Sequence, residues 1–157
     1  IPESTMTFIG DGPLRGELES RIGASGLCDS VRVLGALNHR SALDIIQRHW
    51  VFVQHSVTSM LGDQEGFPNS GAEAALLELP IVATYHNGFP EQVIDGKTGY
   101  LVPEFNYELM AERMIELAQR SDLREQFGIE GRKHILSMCH PQERLRQMRR
   151  IIMEALN

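Results

Sequence analysis

Cysteine is scarce in this chain, and the copies present are poorly placed for a structural role. Two cysteines, Cys28 and Cys139, occur in 157 residues, far apart and outside any CxxC arrangement. This spacing argues against a disulfide-stapled scaffold and favours a reduced, cytosolic setting. The six histidines are scattered without the paired spacing of zinc ligands, so a zinc site built from His39, His49 and His55 is disfavoured.

The chain also lacks an excess of positive charge and any long apolar run. It holds 15 Lys and Arg against 21 Asp and Glu, a net charge of −6, with no extended basic block. Nucleic acid is therefore disfavoured as the main partner, because phosphate backbones need clustered cations. No apolar stretch approaches the ~20 residues of a membrane span, and the start has no signal-peptide pattern. The length suits one domain. Because the first residue is not Met, we expect a piece of a longer protein.

What is present is an alternation of apolar, β-branched runs with helical patterns. The predicted strands are, in order, MTFIG, VRVLG, VFVQHS, IVAT and GYLV. Helical patterns lie between them, with Ser41 as the expected N-cap of the second, and two or three more helices follow from Asn106. This alternation predicts an α/β fold, a Rossmann-like doubly wound parallel sheet with helices on both faces and a helical C-terminus.

The segments that follow the predicted strands are small, polar or carboxylate-bearing. They comprise residues 10–12, 35–38, 55–69 and 85–88. In open parallel sheets, ligands bind beyond the carboxyl ends of the strands, and glycine lets a ligand approach the backbone. These loop ends therefore indicate where a ligand site would lie.

One of these segments, EGFPNSGAE at residues 65–73, allows two interpretations. Ser70 and Glu73 match the capping box S/T-x-x-E, which would explain them as a helix start and nothing more. Alternatively, the free amides of the same helix start form an anion site, and a phosphate could come close at Gly71. Glu65 and Glu73 could then accept hydrogen bonds from sugar hydroxyls. The residues alone leave both interpretations open.

The stretch from residue 65 to residue 102 resembles the signature region of a large family of retaining glycosyltransferases of GT-B fold, often called family four or the group-one glycosyl transferases. It reads EGFPNSGAEAALLELPIVATYHNGFPEQVIDGKTGYLV. The hallmark of that family is two glutamates separated by seven residues, and Glu65 and Glu73 have this spacing. Upstream, FIGDGPLRGELES and VRVLGAL resemble the family's preceding elements, so the resemblance covers essentially the whole chain.

The resemblance implies a transferase that moves a sugar from a nucleotide diphosphate sugar, such as a UDP- or GDP-sugar, to a saccharide or lipid-linked acceptor, with retention of the anomeric configuration. It implies that Glu65 is catalytic and contacts the donor sugar, while Glu73 binds the ribose. The other donor-binding residues that it implies are Gly10, Gly12, Leu37, Phe67, Pro68, Asn69 and Ser70, with Leu37 beside the base. It implies no metal and no cofactor, since fixed dipoles and cationic side chains neutralise the departing diphosphate.

The resemblance also implies that this chain is one half of an enzyme. Residues 1–157 correspond to the nucleotide-sugar binding domain, whereas family members carry the acceptor site in an N-terminal domain of similar size. The Arg and Lys that family members supply to the diphosphate have no match here, since Arg15 and Lys97 lie in other elements. We therefore expect the chain alone to bind nucleotide weakly and to turn over nothing.

Two further segments bear on the setting of the enzyme. The loop HSVTSMLGDQEGFP is similar to a longer loop in bacterial enzymes that build exopolysaccharide or surface polysaccharide, which implies a cytoplasmic enzyme, either free or peripheral to the inner face of the membrane. The last predicted helix carries Arg144, Arg146, Arg149 and Arg150. A basic amphipathic helix of this kind can contact a membrane or a partner, or it can be a solvated face.

Three other functions compete with the transferase. A glycosidase would use Glu65 and Glu73 as acid and nucleophile, but the parallel-sheet pattern and the lack of a second acidic cluster disfavour it. A phosphorylase would need a pyridoxal-binding lysine, and none is obvious. The main alternative is a non-catalytic sugar-nucleotide binding or interaction module. The retained pair Glu65 and Glu73 is the one feature that argues against it.

Overall fold

The structure is a computed structural model that describes residues 3–156. Its strands are β1 (Met6–Phe8), β2 (Val31–Val33), β3 (Phe52–Gln54), β4 (Ile81–Thr84) and β5 (Gly99–Val102). Its helices are α1 (Arg15–Ala24), α2 (His39–Ile46), α3 (Asn69–Leu76), α4 (Phe89–Gln92), α5 (Tyr107–Gln119), α6 (Ser121–Met138) and α7 (Pro141–Ala155). These elements fall into two compact units, one ending at Arg48 and one starting at His49.

The first unit is a strand–helix–strand motif followed by a helix. β1 pairs in parallel with β2, with Met6 opposite Val31. The N-cap of α2 differs from the prediction, because the Asn38 side chain accepts a hydrogen bond from the Ser41 amide at 2.9 Å. Asn38 has the extended backbone of an N-cap, whereas Ser41 already lies in the first turn. The prediction that Ser41 caps this helix is therefore wrong.

The second unit contains three parallel strands in the order β3-β4-β5. Ile81 of β4 lies opposite Phe52 of β3 on one side and Gly99 of β5 on the other. Every residue of β4 is buried, as expected for a central strand with both faces covered. The five predicted strands are all present and every pairing is parallel, which confirms the α/β prediction.

Two hydrophobic clusters cover the two faces of this three-stranded sheet. Successive strand residues point to opposite faces, so Ile81 and Ala83 join one cluster while Val82 joins the other. The first cluster draws on α3, α4 and α6 and includes Ala72, Ala75, Phe89, Val93 and Ile135. The second draws on α5 and α6 and includes Val102, Met110, Leu117 and Phe127. Helices therefore pack on both faces, as the doubly wound prediction requires.

The C-terminal part is helical, as predicted. The α6 helix lies directly on the chain segment after α3, because a Cβ at Gly128 would be 2.0 Å from the carbonyl oxygen of Glu78. The α7 helix buries none of its residues within its unit and exposes Leu145, Met148 and Ile152. Within residues 3–156, no helix combines the length and the apolar composition that a membrane crossing requires.

Candidate functional site

The candidate site is built around the start of α3, which follows the long loop at residues 55–68. The helix begins at Asn69, and the preceding Pro68 has no side-chain donor or acceptor to cap it. The Pro68 carbonyl accepts hydrogen bonds from the amides of Gly71 and Ala72, at 3.2 and 3.3 Å. Within residues 3–156, no oxygen accepts a hydrogen bond from the amides of Asn69 and Ser70. These two amides are therefore available to an anion.

Ser70 occupies a different position from the one that the capping-box interpretation gives it. It lies inside the first turn of α3, and its hydroxyl donates a hydrogen bond to Gln54 Oε1 at 2.9 Å. Gln54 is the last residue of β3, so this bond ties the helix start to the carboxyl end of that strand. The prediction that Ser70 is the N-cap is therefore wrong, because the N-cap is Pro68 and the helix starts at Asn69, two residues earlier than the motif suggested.

The remaining predicted site residues of this segment differ in exposure. Glu65 is exposed on the loop, and Glu73 is half-buried one turn into α3. Pro68 is buried, whereas Asn69 and Phe67 are exposed. Along the sequence, Glu65 and Glu73 lie on either side of the two amides that lack an acceptor among the described residues.

Gly71 has a packing role rather than the open approach that the sequence suggested. A Cβ at this position would be 2.8 Å from Gln92 Oε1 and 3.0 Å from a ring carbon of Phe89. The lack of a side chain therefore lets α3 pack against α4. The expectation that a phosphate comes close at Gly71 itself is wrong, because the space where its side chain would lie is filled by protein.

The loop before α3 rests on the segment that follows β4. A Cβ at Gly88 would be 1.9 Å from the carbonyl oxygen of Gly66, so the two backbones are in direct contact. The buried Gln92 side chain donates a hydrogen bond to the Pro68 carbonyl at 3.1 Å. These contacts hold residues 66–68 against α4, from its N-cap at Gly88 to its last residue, Gln92.

Two side chains that the sequence did not single out, those of His86 and Glu104, join the loop to the ends of β4 and β5. The ring of buried His86 accepts a hydrogen bond at Nε2 from the Glu65 amide, at 3.2 Å, and its Nδ1 lies 2.6 Å from Glu104 Oε1. The other oxygen of Glu104 accepts a hydrogen bond from the Thr58 amide at 3.0 Å. The hydrogen bond from His86, followed by that from Thr58, lowers the pKa of Glu104 below its ordinary value. The one available signal was position, since both His86 and Glu104 closely follow a strand end.

The predicted site residues of the first unit lie on the loops after β1 and β2. Gly10 has φ of +142°, a conformation that favours glycine, and its amide donates to the Gly35 carbonyl at 2.9 Å. The Gly12 amide donates to Asp11 Oδ1 at 2.8 Å. Leu37, just before the N-cap of α2, exposes 36% of its surface. Arg15 forms ion pairs with Asp11 and Glu19, at 3.2 and 2.8 Å, and so is engaged within its own unit.

No group of three or more metal-ligating side chains occurs among the described residues 3–156. The groups present at the site are backbone amides, carboxylates and a buried histidine. Helix amides bind anions, and carboxylates accept hydrogen bonds from hydroxyls. Together they define an α/β domain with a candidate ligand site at the carboxyl ends of parallel strands, which is where open α/β sheets bind ligands.

The fold is that of GT-B glycosyltransferases. HepE from Anabaena, solved in complex with UDP, superposes with a TM-score of 0.82 over 98% of this chain and 42% of its own, at 19% identity. The C-terminal domain of a group 1 glycosyl transferase, LpcC from Francisella tularensis, gives a TM-score of 0.73 over 88% of this chain and 71% of its own, at 23% identity. The helical C-terminus also fits these structures.

The chain belongs to the family of glycosyl transferases group 1, whose sequence profile matches residues 1–134. Among its relatives is the amylovoran biosynthesis glycosyltransferase AmsK of Erwinia amylovora, which is 31% identical over 113 residues, or 72% of this chain. The chain spans 28% of the length of AmsK. The resemblance to this family noted in the sequence is thereby confirmed.

Proposed function

We propose that this chain is the donor-binding domain of a retaining glycosyltransferase, which transfers a sugar from a nucleotide diphosphate sugar to a saccharide or lipid-linked acceptor. The observation that carries the proposal is the start of α3. There the amides of Asn69 and Ser70 have no acceptor within residues 3–156, and Glu65 and Glu73 flank them in sequence. A diphosphate would bind the two amides, and the hydroxyls of two sugars would donate hydrogen bonds to the two carboxylates.

The helix start supplies the charge stabilisation that the reaction needs. As the bond to the donor sugar breaks, negative charge develops on the departing diphosphate. The amides of Asn69 and Ser70 and the partial positive charge of the α3 terminus would bind that charge. In this proposal fixed dipoles do the neutralising without a metal ion or a cofactor. Because the amides are held in place by the fold, they need no reorganisation during the reaction.

The two carboxylates would divide the recognition of the donor. Glu65, exposed on the loop, would accept hydrogen bonds from hydroxyls of the transferred sugar and act as the catalytic carboxylate. Glu73 would accept both hydroxyls of the ribose, since one carboxylate suits two neighbouring donors. Phe67 and Pro68 would line the pocket beside them. Gly10, Gly12 and Leu37 of the first unit remain predicted donor-binding residues.

The relatives support a wider setting that we also propose. AmsK is a glycosyltransferase of amylovoran biosynthesis, and HepE was solved with UDP. We therefore propose that the enzyme acts in the synthesis of a bacterial exopolysaccharide or surface polysaccharide, in the cytoplasm or at the inner face of the membrane. An N-terminal domain would supply the acceptor site, so the chain of residues 1–157 alone would bind nucleotide sugar without transferring the sugar.

Calorimetry with UDP, GDP and a panel of their sugars tests this proposal. We expect the chain to bind at least one nucleotide sugar, and Glu73→Gln to weaken that binding about tenfold, which is about 1.4 kcal/mol. The control is Glu112→Gln, because Glu112 is exposed on α5, away from the site segment in sequence. Failure of the wild-type chain to bind any member of the panel would overturn the proposal. Binding without turnover by the full-length protein would favour a sensor instead.

A further inference from the structure

We propose that His86 and Glu104 are positioning residues for Glu65, acting as a hydrogen-bonded pair that holds the Glu65 backbone through one tautomer of the histidine ring. The inference deepens the proposed function and rests on it, because Glu65 is the carboxylate assigned there to the donor sugar. Neither side chain needs to touch the donor. Their role would be to fix the place from which Glu65 does so.

The segment that carries Glu65 needs such support. Residues 55–68 form one loop without helix or strand, and loops longer than about 12 residues are uncommon in compact domains unless they are functional. Among the bonds of the described residues, those at the tip of the loop are short-range, such as the bond from the Gly62 amide to the Ser59 carbonyl at 2.9 Å. The side chain of Met60 at the tip is fully exposed.

Both limbs of this loop are anchored to the same pair of side chains. On the outgoing limb, the Thr58 amide donates to Glu104 Oε2 at 3.0 Å. On the returning limb, the Glu65 amide donates to His86 Nε2 at 3.2 Å. The 2.6 Å contact between His86 Nδ1 and Glu104 Oε1 links the two anchors. A cross-bond from Gln64 Nε2 to Thr58 Oγ1 at 3.3 Å closes the base of the loop.

The directions of these bonds determine the tautomer of His86. A backbone amide can only donate, so Nε2 must be the unprotonated nitrogen of the ring. The remaining ring proton then sits on Nδ1 and is donated to the Glu104 carboxylate. If the ring carried its proton on Nε2 instead, two donors would face each other and the Glu65 amide would lose its acceptor.

Glu104 is suited to this task because it is a carboxylate rather than an amide. Its two oxygens accept from His86 and from the Thr58 amide at the same time. A glutamine at this position would turn an NH₂ group towards one of these donors. Since His86 is 2% exposed, water could not replace the lost partner. Glu104→Gln should therefore release Thr58 or let the His86 ring change its tautomer.

The first arm of the test uses the protein without ligand. We expect nitrogen NMR of the ¹⁵N-labelled chain at neutral pH to show His86 protonated at Nδ1 and not at Nε2. Since Glu104→Gln disturbs one of the two anchors, we also expect either the Thr58 amide or the Glu65 amide to exchange with solvent at least tenfold faster in Glu104→Gln than in the wild type, with Glu112→Gln unchanged. A His86 ring protonated at Nε2, or exchange of both amides equal to wild type in Glu104→Gln, would overturn the proposal.

Two substitutions of His86 test whether the length of the side chain matters when its functional group is kept the same. Glutamine can place its side-chain oxygen near the position of Nε2 and accept from the Glu65 amide, whereas asparagine is one methylene too short. We therefore expect His86→Gln to keep Glu65 amide protection within about threefold of wild type, and His86→Asn to lose it. Because the two variants carry the same functional group, equal loss in both at matched thermal stability would contradict the positioning role.

The second arm measures affinities for UDP and UDP-glucose, and for GDP and GDP-mannose. A positioning role for Glu65 predicts that His86→Asn and Glu104→Gln bind the sugar nucleotide about tenfold more weakly, while affinity for the diphosphate alone stays within twofold. A merely structural role would lower both affinities together, which would refute the proposal. If the wild type binds none of the four, the proposed function fails, and exchange of the Glu65 amide alone then decides whether the pair holds the loop.

Discussion

Replacing Gly88 with alanine should break the support beneath the candidate site. A Cβ at residue 88 would be 1.9 Å from the carbonyl oxygen of Gly66 and 3.1 Å from the Cα of Phe67. The backbone of Gly88, with φ of −76° and ψ of −13°, is one that alanine adopts freely, so the penalty is one of space and not of conformation. Both neighbouring atoms belong to backbone, which cannot rotate away as a flexible side chain would.

The size of the effect follows from the overlap. An ordinary contact of a Cβ carbon begins near 3.4 Å, so the loop at residues 66–67 would have to move by more than about 1 Å. Overpacking of this kind costs about 1–3 kcal/mol. For a chain of this length, each kcal/mol lowers Tm by about 2–4 °C. We therefore expect a less stable protein with a displaced Glu65 loop and weaker binding of the nucleotide sugar.

Fluorescence during urea unfolding provides the assay. Trp50 is the single tryptophan and lies in the same unit as Gly88, so its emission reports on that unit. Gly66→Ala is the matched control, because a Cβ at Gly66 has no atom within 4 Å. The control should unfold within about 0.5 kcal/mol of wild type, as surface substitutions usually do. Calorimetry at a temperature where both variants are folded then measures donor affinity.

The steric reasoning would be refuted by a Gly88→Ala protein as stable as Gly66→Ala and with wild-type affinity for the nucleotide sugar. If Gly88→Ala loses stability but keeps wild-type affinity for the nucleotide sugar, the predicted effect on binding is wrong. This result would show that the contact between residues 66 and 88 supports the fold without placing Glu65.

Three further predictions concern the second unit. Arg120 donates two hydrogen bonds to Asp122 and lowers its pKa from 3.8 to about 2. Asp122→Asn should therefore destabilise the protein at pH 5–7. In acid-unfolding curves, the difference in stability between wild type and variant should fade as pH falls from about 4 to 2. Leu117→Ala should lower the unfolding free energy by about 2–5 kcal/mol in urea, because Leu117 is fully buried. Asn106→Ala should cost about 0.5–2 kcal/mol in the same assay, because its side chain caps α5.

Each of these predictions has a control that separates its cause. Glu125→Gln removes an exposed carboxylate from the same helix as Asp122 and should not reproduce its pH dependence. Leu145→Ala truncates a leucine that is 60% exposed and should cost far less than Leu117→Ala. Asn106→Asp keeps an oxygen acceptor and should retain the cap. The ion-pair explanation is contradicted if the effect of Asp122→Asn does not depend on pH. The burial explanation is contradicted if the two leucine variants lose equal stability. The capping explanation is contradicted if Asn106→Asp is as unstable as Asn106→Ala.

The strands were the part of the fold most readable from the sequence. Short apolar runs rich in β-branched residues, such as IVAT, mark buried strands whatever surrounds them, and all five were found. Helix boundaries were less readable. Asn38 and Ser41 are both good capping residues, and the choice between them depended on which one has extended backbone. The capping box at Ser70 failed for the same reason, because the extended residue is Pro68.

The candidate site was only partly predictable. Glu65 and Glu73 stood out by their spacing, and the helix start between them was visible as a pattern of polar and small residues. The sequence does not reveal the packing role of Gly71, since a glycine needed for packing and one needed for ligand access look identical in sequence. It shows His86 only as part of the loop end at residues 85–88 and gives no signal for Glu104, because neither lies in a recognisable local motif.

The sequence by itself determined the order of strands and helices, the parallel character of the sheet and the pair of carboxylates, because these depend on residue type and on spacing along the chain. Tertiary structure alone decided what supports Glu65. The hydrogen bonds between Glu65 and His86, between His86 and Glu104, and between Thr58 and Glu104 join residues that are 21, 18 and 46 positions apart. Such partners meet only when parallel strands align in register and bring their carboxyl ends to one edge, and local periodicity does not encode that alignment.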